Sequence, residues 1–215
     1  MNTMAGRTIA IGDIHGHREA LQAIIEVIDM RPDDTLVFLG DYVDHGPDSR
    51  GVLEKVIELH DRANVVALLG NHETMMLAGR DDLGFWKRCG GDTTIRSYGG
   101  DVGGIPSGHI AFLESLPMYH ETGTHLFTHA NYAPNKPLDQ TDSQTALWLP
   151  LTDLPGPHYS GKIAIVGHTP QSDGAILDHG HVKCIDTGCG YGGVLTALDV
   201  GTGHTWQVTE TGQTV

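Results

Sequence analysis

Eight residues of this 215-residue chain have the types and spacing that could hold metal ions: Asp13, His15, Asp41, Asp44, Asn71, His72, His129 and His168. Six lie in three glycine-flanked turns, Gly12-Asp13-Ile14-His15-Gly16, Gly40-Asp41-Tyr42-Val43-Asp44-His45-Gly46 and Gly70-Asn71-His72-Glu73. The other two follow short apolar runs, in Thr128-His129-Ala130 and Gly167-His168-Thr169. A lone Gly-Asp turn is usually only a turn, and a lone histidine is usually structural or solvated. The joint pattern is what points to chemistry. Carboxylate and amide oxygens with imidazole nitrogens, and no thiolate, suit Mn²⁺, Fe or Zn²⁺. Two such ions, roughly 3.5–4 Å apart and sharing one carboxylate, can clamp a phosphoryl oxygen and acidify a water between them. Asp41, in the middle turn, is expected to lie between the ions. Asp13 and Asp41 bring two negative charges against four positive ones, so the loaded site would be locally cationic and attract phosphate.

These residues need elements that bring them to one place. Thr8 to Ile11, Thr35 to Leu39 and Asn64 to Leu69 read as strands, each ending at one of the three turns. Leu21, Ile24, Ile25 and Ile28 recur at helical spacing and predict a helix over Arg18 to Met30. Val52, Leu53, Val56, Ile57 and His60 mark a second helix starting near Asp48. Strand, turn and helix in repeated order predict a parallel sheet with crossover helices and gather the turns at its carboxyl edge. Thr74 to Leu116 patterns as helix broken by Gly90-Gly91, Gly99-Gly100 and Gly103-Gly104. It is expected as a helical insertion over one side of the site, bearing Arg80, Arg88 and Arg96. Leu126 to Thr128 and Lys162 to Val166 are further strands. Residues 131–157 read as a long loop with one helical turn near Ala146-Leu147-Trp148. Val182 to Ile185, Val194 to Asp199 and Thr205 to Val208 are expected as closing antiparallel strands of a second sheet. Residues 1–215 are expected to form one domain, with the insertion at about 74–116.

Composition narrows the partners. The formal charge of -14 would repel a polyanion, so duplex nucleic acid is not expected. No apolar run approaches the length needed to cross a bilayer, and Met1 to Arg7 shows no apolar leader core. Cys89, Cys184 and Cys189 are odd in number and lack Cys-x-x-Cys spacing, which favours reduced thiols and a cytoplasmic setting over disulfides. Asp186, in Ile185-Asp186-Thr187-Gly188, reads as a turn carboxylate able to orient a ligand histidine.

The three turns resemble the three motifs of the calcineurin-like metallophosphoesterases, and most resemble the PPP-type serine/threonine protein phosphatases in their small bacterial and phage branch. The likeness continues through Thr128-His129-Ala130, Gly167-His168-Thr169-Pro170 and Ile185-Asp186-Thr187-Gly188 to Tyr191-Gly192-Gly193-Val194-Leu195-Thr196-Ala197-Leu198, so it spans nearly the whole chain. It implies an α/β fold, two mixed sheets in a sandwich flanked by helices in four αββα layers. It implies two divalent ions, Mn²⁺ foremost, with Fe or Zn²⁺ as alternatives. Asp13 and His15 would bind the first ion, Asp41 would bridge, and Asn71, His129 and His168 would complete the second. His72 would be the general acid, with Asp44 orienting it and keeping it charged. The reaction implied is direct attack on phosphorus by a hydroxide bridging the metals, on a phosphorylated protein or a small phosphoester.

Two departures bear on the substrate. The family usually has Asp-Arg-Gly where this chain has Asp44-His45-Gly46. A second arginine usually follows the tryptophan where this chain has Leu147-Trp148-Leu149-Pro150. The family's His-Ala-Gly is here His129-Ala130-Asn131. Arginine forks grip a terminal phosphate dianion, and both expected ones are absent. Three readings remain open. Arg80, Arg88 or Arg96 supplies the charge; or His45 and Asn131 bind phosphate more weakly and shift preference toward diesters or diadenosine-polyphosphate-type nucleotides; or the chain binds metal with little turnover.

Overall fold

The computed structural model describes residues 6–62, 64–79 and 82–215. Arg80 and the start of the Met1 to Arg7 segment lie outside them. Strand β1 (Thr8–Ile11) is apolar along almost its whole length because both of its faces are covered. Ile9 and Ile11 pack with Leu21, Ile24 and Ile28 of helix α1 (Arg18–Ile28), while Ala10 packs with Phe127 and Ile165 of the other sheet. Strand β2 (Thr35–Phe38) repeats the pattern: Leu36 and Phe38 face the helices and Val37 faces the second sheet. A strand buried on both sides loses the polar alternation of a half-buried one. Each such side chain contributes about 1.5–3 kcal/mol of burial, so the strands can hold loops of less favourable conformation at their ends.

After β2 come helix α2 (Ser49–Arg62), strand β3 (Val65–Ala67) and helix α3 (Asn71–Ala78). Helices α4 (Leu83–Trp86), α5 (Asp92–Ser97) and α6 (Ser107–Ser115) follow, with a kink between α4 and α5 where Gly90 adopts φ 101°. Strands β4 (Tyr119–Glu121) and β5 (His125–Thr128) precede the long loop, which contains helix α7 (Ser143–Trp148). The chain closes with β6 (Ile163–Val166), β7 (Leu177–Asp178), β8 (Val182–Cys184), β9 (Val194–Asp199) and β10 (Thr205–Thr209).

The ten strands form two mixed five-stranded sheets, ordered β10-β9-β1-β2-β3 and β4-β5-β6-β8-β7. β1, β2 and β3 are parallel, as are β5, β6 and β8, and the outer strands join antiparallel. The expected placing of the last strands needs correction. β9 pairs with β1 and β10 with β9, so both extend the first sheet, and β8 runs parallel to β6. The sheets meet through Ala10, Val37, Leu68, Phe127, Ile165 and Leu198. The outer face of the second sheet is covered by Tyr132, Leu138 and Leu151 of the long loop. Among the described residues no helix is long and apolar enough to cross a membrane.

Candidate metal centre

The loops after β1, β2, β3, β5 and β6 meet at one edge of the sandwich. Asp13, His15, Asp41, Asp44, Asn71, His72 and His129 are all buried there. Of the six non-glycine residues with positive φ among those described, five are His15, Asp41, Asp44, His45 and His168. Each left-handed residue costs about 1 kcal/mol or more and persists only where its surroundings fix it. Here the loops fix one another. The amides of Ile14 and His15 both donate to the Asp41 carbonyl at 3.0 and 2.9 Å, and Gly16 donates to the Tyr42 carbonyl at 2.8 Å. Glu73, fully buried, accepts from the amides of Asp41, Tyr42, Val43 and Gly70 at 2.8, 2.8, 3.3 and 2.9 Å. One carboxylate thus ties the second turn to the third. Its position was legible only as part of the third turn, and its partners in the second turn lie some thirty residues upstream.

Three imidazoles are oriented by backbone carbonyls. His15 Nδ1 donates to Val43 O at 3.0 Å, His129 Nδ1 to Leu39 O at 2.9 Å, and His168 Nε2 to Trp148 O at 3.2 Å. In each ring the opposite nitrogen keeps its lone pair for the site, the arrangement that sets the tautomer of a ligand histidine. The Trp148 contact gives the end of α7 a positioning task that the sequence did not reveal. Burial keeps all three rings neutral, lowering the pKa of His15 and His129 well below the ordinary imidazole value and lowering that of His168.

The candidate ligand atoms form two clusters that share Asp41. Asp13, His15 and Asp41 make one, and Asp41, His129 and His168 the other, with atoms in each within 4.8 Å of one another. Asn71 joins the second, its Oδ1 lying 2.8 Å from His129 Nε2 and 3.1 Å from His168 Nδ1. That places an oxygen against two nitrogen lone pairs, the orientation a cation between them requires. In its absence the turned-over amide would donate to the same two nitrogens and to Asp41. Asp13 accepts the His168 amide on Oδ2 at 2.9 Å, but its buried Oδ1 has no partner. Burial raises Asp13 well above the usual carboxylate range and Asp41 and Asp186 to about 6; burial and the Asp41 charge raise Glu73 to about 8. Crowded buried carboxylates and an orphaned oxygen are the features two divalent cations would relieve.

Beside these clusters His72 Nδ1 lies 2.7 Å from Asp44 Oδ2, and its Nε2 is 3.9 Å from Asp41 Oδ2. Burial alone would lower the His72 pKa, but the Asp41 charge and the Asp44 hydrogen bond outweigh it and raise the value to about 9. Asp44 is fixed in turn. The Trp86 indole donates to both its oxygens at 3.1 and 3.0 Å, and Thr94 Oγ1 donates to Oδ1 at 2.7 Å. Neither residue was singled out from sequence.

The candidate substrate contacts are more scattered. His45 is half-buried at the mouth of the site, 3.2 Å from the hydroxyl of the exposed Tyr191, a neighbour not foreseen. Asn131 is buried; its Oδ1 accepts the Tyr132 amide at 2.9 Å and its Nδ2 lacks a partner. Arg88 and Arg96 are exposed, and Arg96 lies 3.9 Å from Asp92.

Comparison with known proteins agrees with this geometry. The family model described as calcineurin-like phosphoesterase matches residues 6–205. The chain is 32% identical over 204 residues to serine/threonine-protein phosphatase 1 of Salmonella typhimurium, covering 86% of this chain and 88% of that one. It is 35% identical over 135 residues to a symmetrical bis(5'-nucleosyl)-tetraphosphatase of Janthinobacterium sp., covering 62% of this chain and 47% of that one. A crystal structure of a candidate diadenosine tetraphosphatase superposes with a TM-score of 0.74 at 23% identity, covering 97% of this chain and 95% of the other, a likeness that speaks for the fold.

Proposed function

The chain belongs to the calcineurin-like phosphoesterase family, and we propose from that premise that it hydrolyses phosphomonoesters, phosphoserine and phosphothreonine of proteins among them. The observation that carries the reading is the 2.7 Å contact of His72 with Asp44 beside the shared carboxylate Asp41. It supports a proton donor standing next to a two-ion site. In this reading Asp13, His15 and Asp41 hold one ion, and Asp41, Asn71, His129 and His168 hold the other, most readily Mn²⁺. Bound there, the two ions supply positive charge to the phosphoryl oxygens and acidify a water. His72 delivers the proton on Nε2 to the departing ester oxygen, while Asp44 holds the ring by Nδ1 and favours its charged form. The likeness to the Salmonella phosphatase over most of both chains supports a protein phosphomonoester as substrate. The experiment is hydrolysis of phenyl phosphate and of phosphoserine peptides with Mn²⁺ present and after chelation. Absence of metal-dependent turnover on every monoester tried would sink the proposal.

A second reading is favoured by His45 and Pro150, which stand where phosphate-gripping arginines are expected. With less positive charge for a dianion, the site suits an internal phosphate of a dinucleoside polyphosphate, and the second relative's name agrees. A kcat/KM on diadenosine tetraphosphate well above that on any monoester would favour this reading over the first.

A further inference from the structure

His45 belongs to neither carboxylate cluster, yet it closes a third group of possible ligands. Its ring centroid is 4.8 Å from that of His15 and 5.1 Å from that of His72, and the last two are 4.8 Å apart. A tetrahedral ion bound to imidazole nitrogens at about 2.0–2.1 Å has each ring centre about 3.2 Å away, so the centres stand about 5 Å from one another. One ring nitrogen from each residue lies within 4.8 Å of the other two. We propose that His15, His45 and His72 form an alternative seat for a zinc-like divalent ion, and that an ion there inhibits hydrolysis.

His15 and His72 each commit Nδ1 to a fixed acceptor, Val43 O and Asp44 Oδ2, which leaves Nε2 of each ring for the group. At His15 that nitrogen carries a lone pair, and at His72 the incoming ion must displace the proton held there. His45 is the least restrained, since its Nε2 meets only the hydroxyl of Tyr191, a residue 59% exposed. A donor set of three imidazoles, with Asp41 Oδ2 3.6 Å from His15 Nε2 and 3.9 Å from His72 Nε2 as the one nearby carboxylate oxygen, suits Zn²⁺, Ni²⁺ or Cu²⁺ better than Mn²⁺ or Mg²⁺, which prefer oxygen. This group can therefore select an ion different from the one that fills the carboxylate clusters. Two consequences follow from sharing. A ligated His72 cannot carry the proton for the leaving oxygen. His15 has one free nitrogen, so an ion drawing on it competes with the ion on the Asp13 side. The inhibitory effect rests on His72 acting as the proton donor, as proposed above; the seat itself does not.

The test adds Zn²⁺ to the Mn²⁺-saturated protein and compares it with His45→Asn, a residue that tolerates the left-handed backbone at φ 62°. The half-inhibiting Zn²⁺ concentration is expected to rise at least about tenfold in the variant, and extra Mn²⁺ should relieve the wild type. Binding is read directly from the side-chain nitrogen resonances of the Mg²⁺-loaded protein, where those of His45 should shift as Zn²⁺ is added. Equal zinc sensitivity in His45→Asn, or His45 nitrogens that do not move, overturns the proposal. Should no hydrolysis be found at all, the phosphoesterase reading fails, and the resonances still decide whether the seat exists.

Discussion

His72 Nδ1 and Asp44 Oδ2 lie 2.7 Å apart, and the carboxylate that makes this contact is held on its other sides by the Trp86 indole and the Thr94 hydroxyl. A charged hydrogen bond of this kind is worth about 1.5–3 kcal/mol, and with the Asp41 charge it keeps the ring charged despite burial. His72→Asn is expected to lower kcat by about 10²–10⁴-fold while metal content stays unchanged. The loss should be larger on phenyl phosphate than on p-nitrophenyl phosphate, whose departing oxygen needs less help from an acid. Thr94→Val should show the same leaving-group trend with a smaller loss. Steady-state rates on the two esters check both. Equal losses on both would mean that His72 does not protonate the leaving group.

Asp41 is the one residue common to both carboxylate-bearing clusters. Asp41→Asn is therefore expected to lower the content of both ions together, from about two per chain. His129→Ala should remove chiefly one. Metal analysis after gel filtration separates these outcomes, and calorimetry should show the melting temperature rising when Mn²⁺ is added to the wild type, since binding to the folded state alone stabilises it. A full complement of metal in Asp41→Asn would overturn the shared position.

Far from the site, Arg7 and Asp34 give the fold a measurable acid sensitivity. Asp34 is fully buried and accepts the amides of Arg7 and Arg31 at 2.9 and 2.8 Å, besides its ion pair with the Arg7 guanidinium. Burial opposes its charge, but these partners prevail and hold its pKa at about 2. The unfolded value is about 3.9, so the charged carboxylate adds about 2–3 kcal/mol of stability. Because the folded value is the lower one, that stability is fully present above about pH 4 and is lost as the pH falls through about 2. Urea denaturation at pH 6 and pH 3 should show the wild type losing more stability over that interval than Asp34→Asn. Identical losses would mean that the pair does not set the acid limit.

The three turns and the strands before them could be read in sequence because each is a local signal, an apolar run followed by glycine and a polar residue. His129 and His168 were legible for the same reason, as polar ends of buried runs. Asp44 as the partner of His72 was implied by the family resemblance, but what orients the other side chains was not legible. The carbonyls of Leu39, Val43 and Trp148 leave no side-chain signature, and Trp86 and Thr94 reach Asp44 from 42 and 50 residues away. The sheet membership of β9 and β10 was hidden likewise. An apolar strand looks the same in either sheet, and only its pairing with β1 assigns it.

Gly190 offers a test of how tightly the first cluster is enclosed. A Cβ there would lie 2.5 Å from His15 Cδ2, 2.8 Å from Cγ and 2.9 Å from Cβ. The His15 ring has little freedom to withdraw, because its Nδ1 is bound to Val43 O and its backbone amide to Asp41 O. The loop from Asp186 to Tyr191 must then move instead, and overpacking of this sort costs about 1–3 kcal/mol. Gly190→Ala is expected to lower the melting temperature and to weaken metal binding at the His15 cluster more than at the His129 cluster. Gly192→Ala is the contrasting case, since a Cβ at Gly192 meets nothing within 4 Å and only its φ of 84° opposes the change. Calorimetry and metal titration on the two variants should rank them in that order. A Gly190→Ala protein that binds both ions as the wild type does would show that the loop yields without disturbing His15.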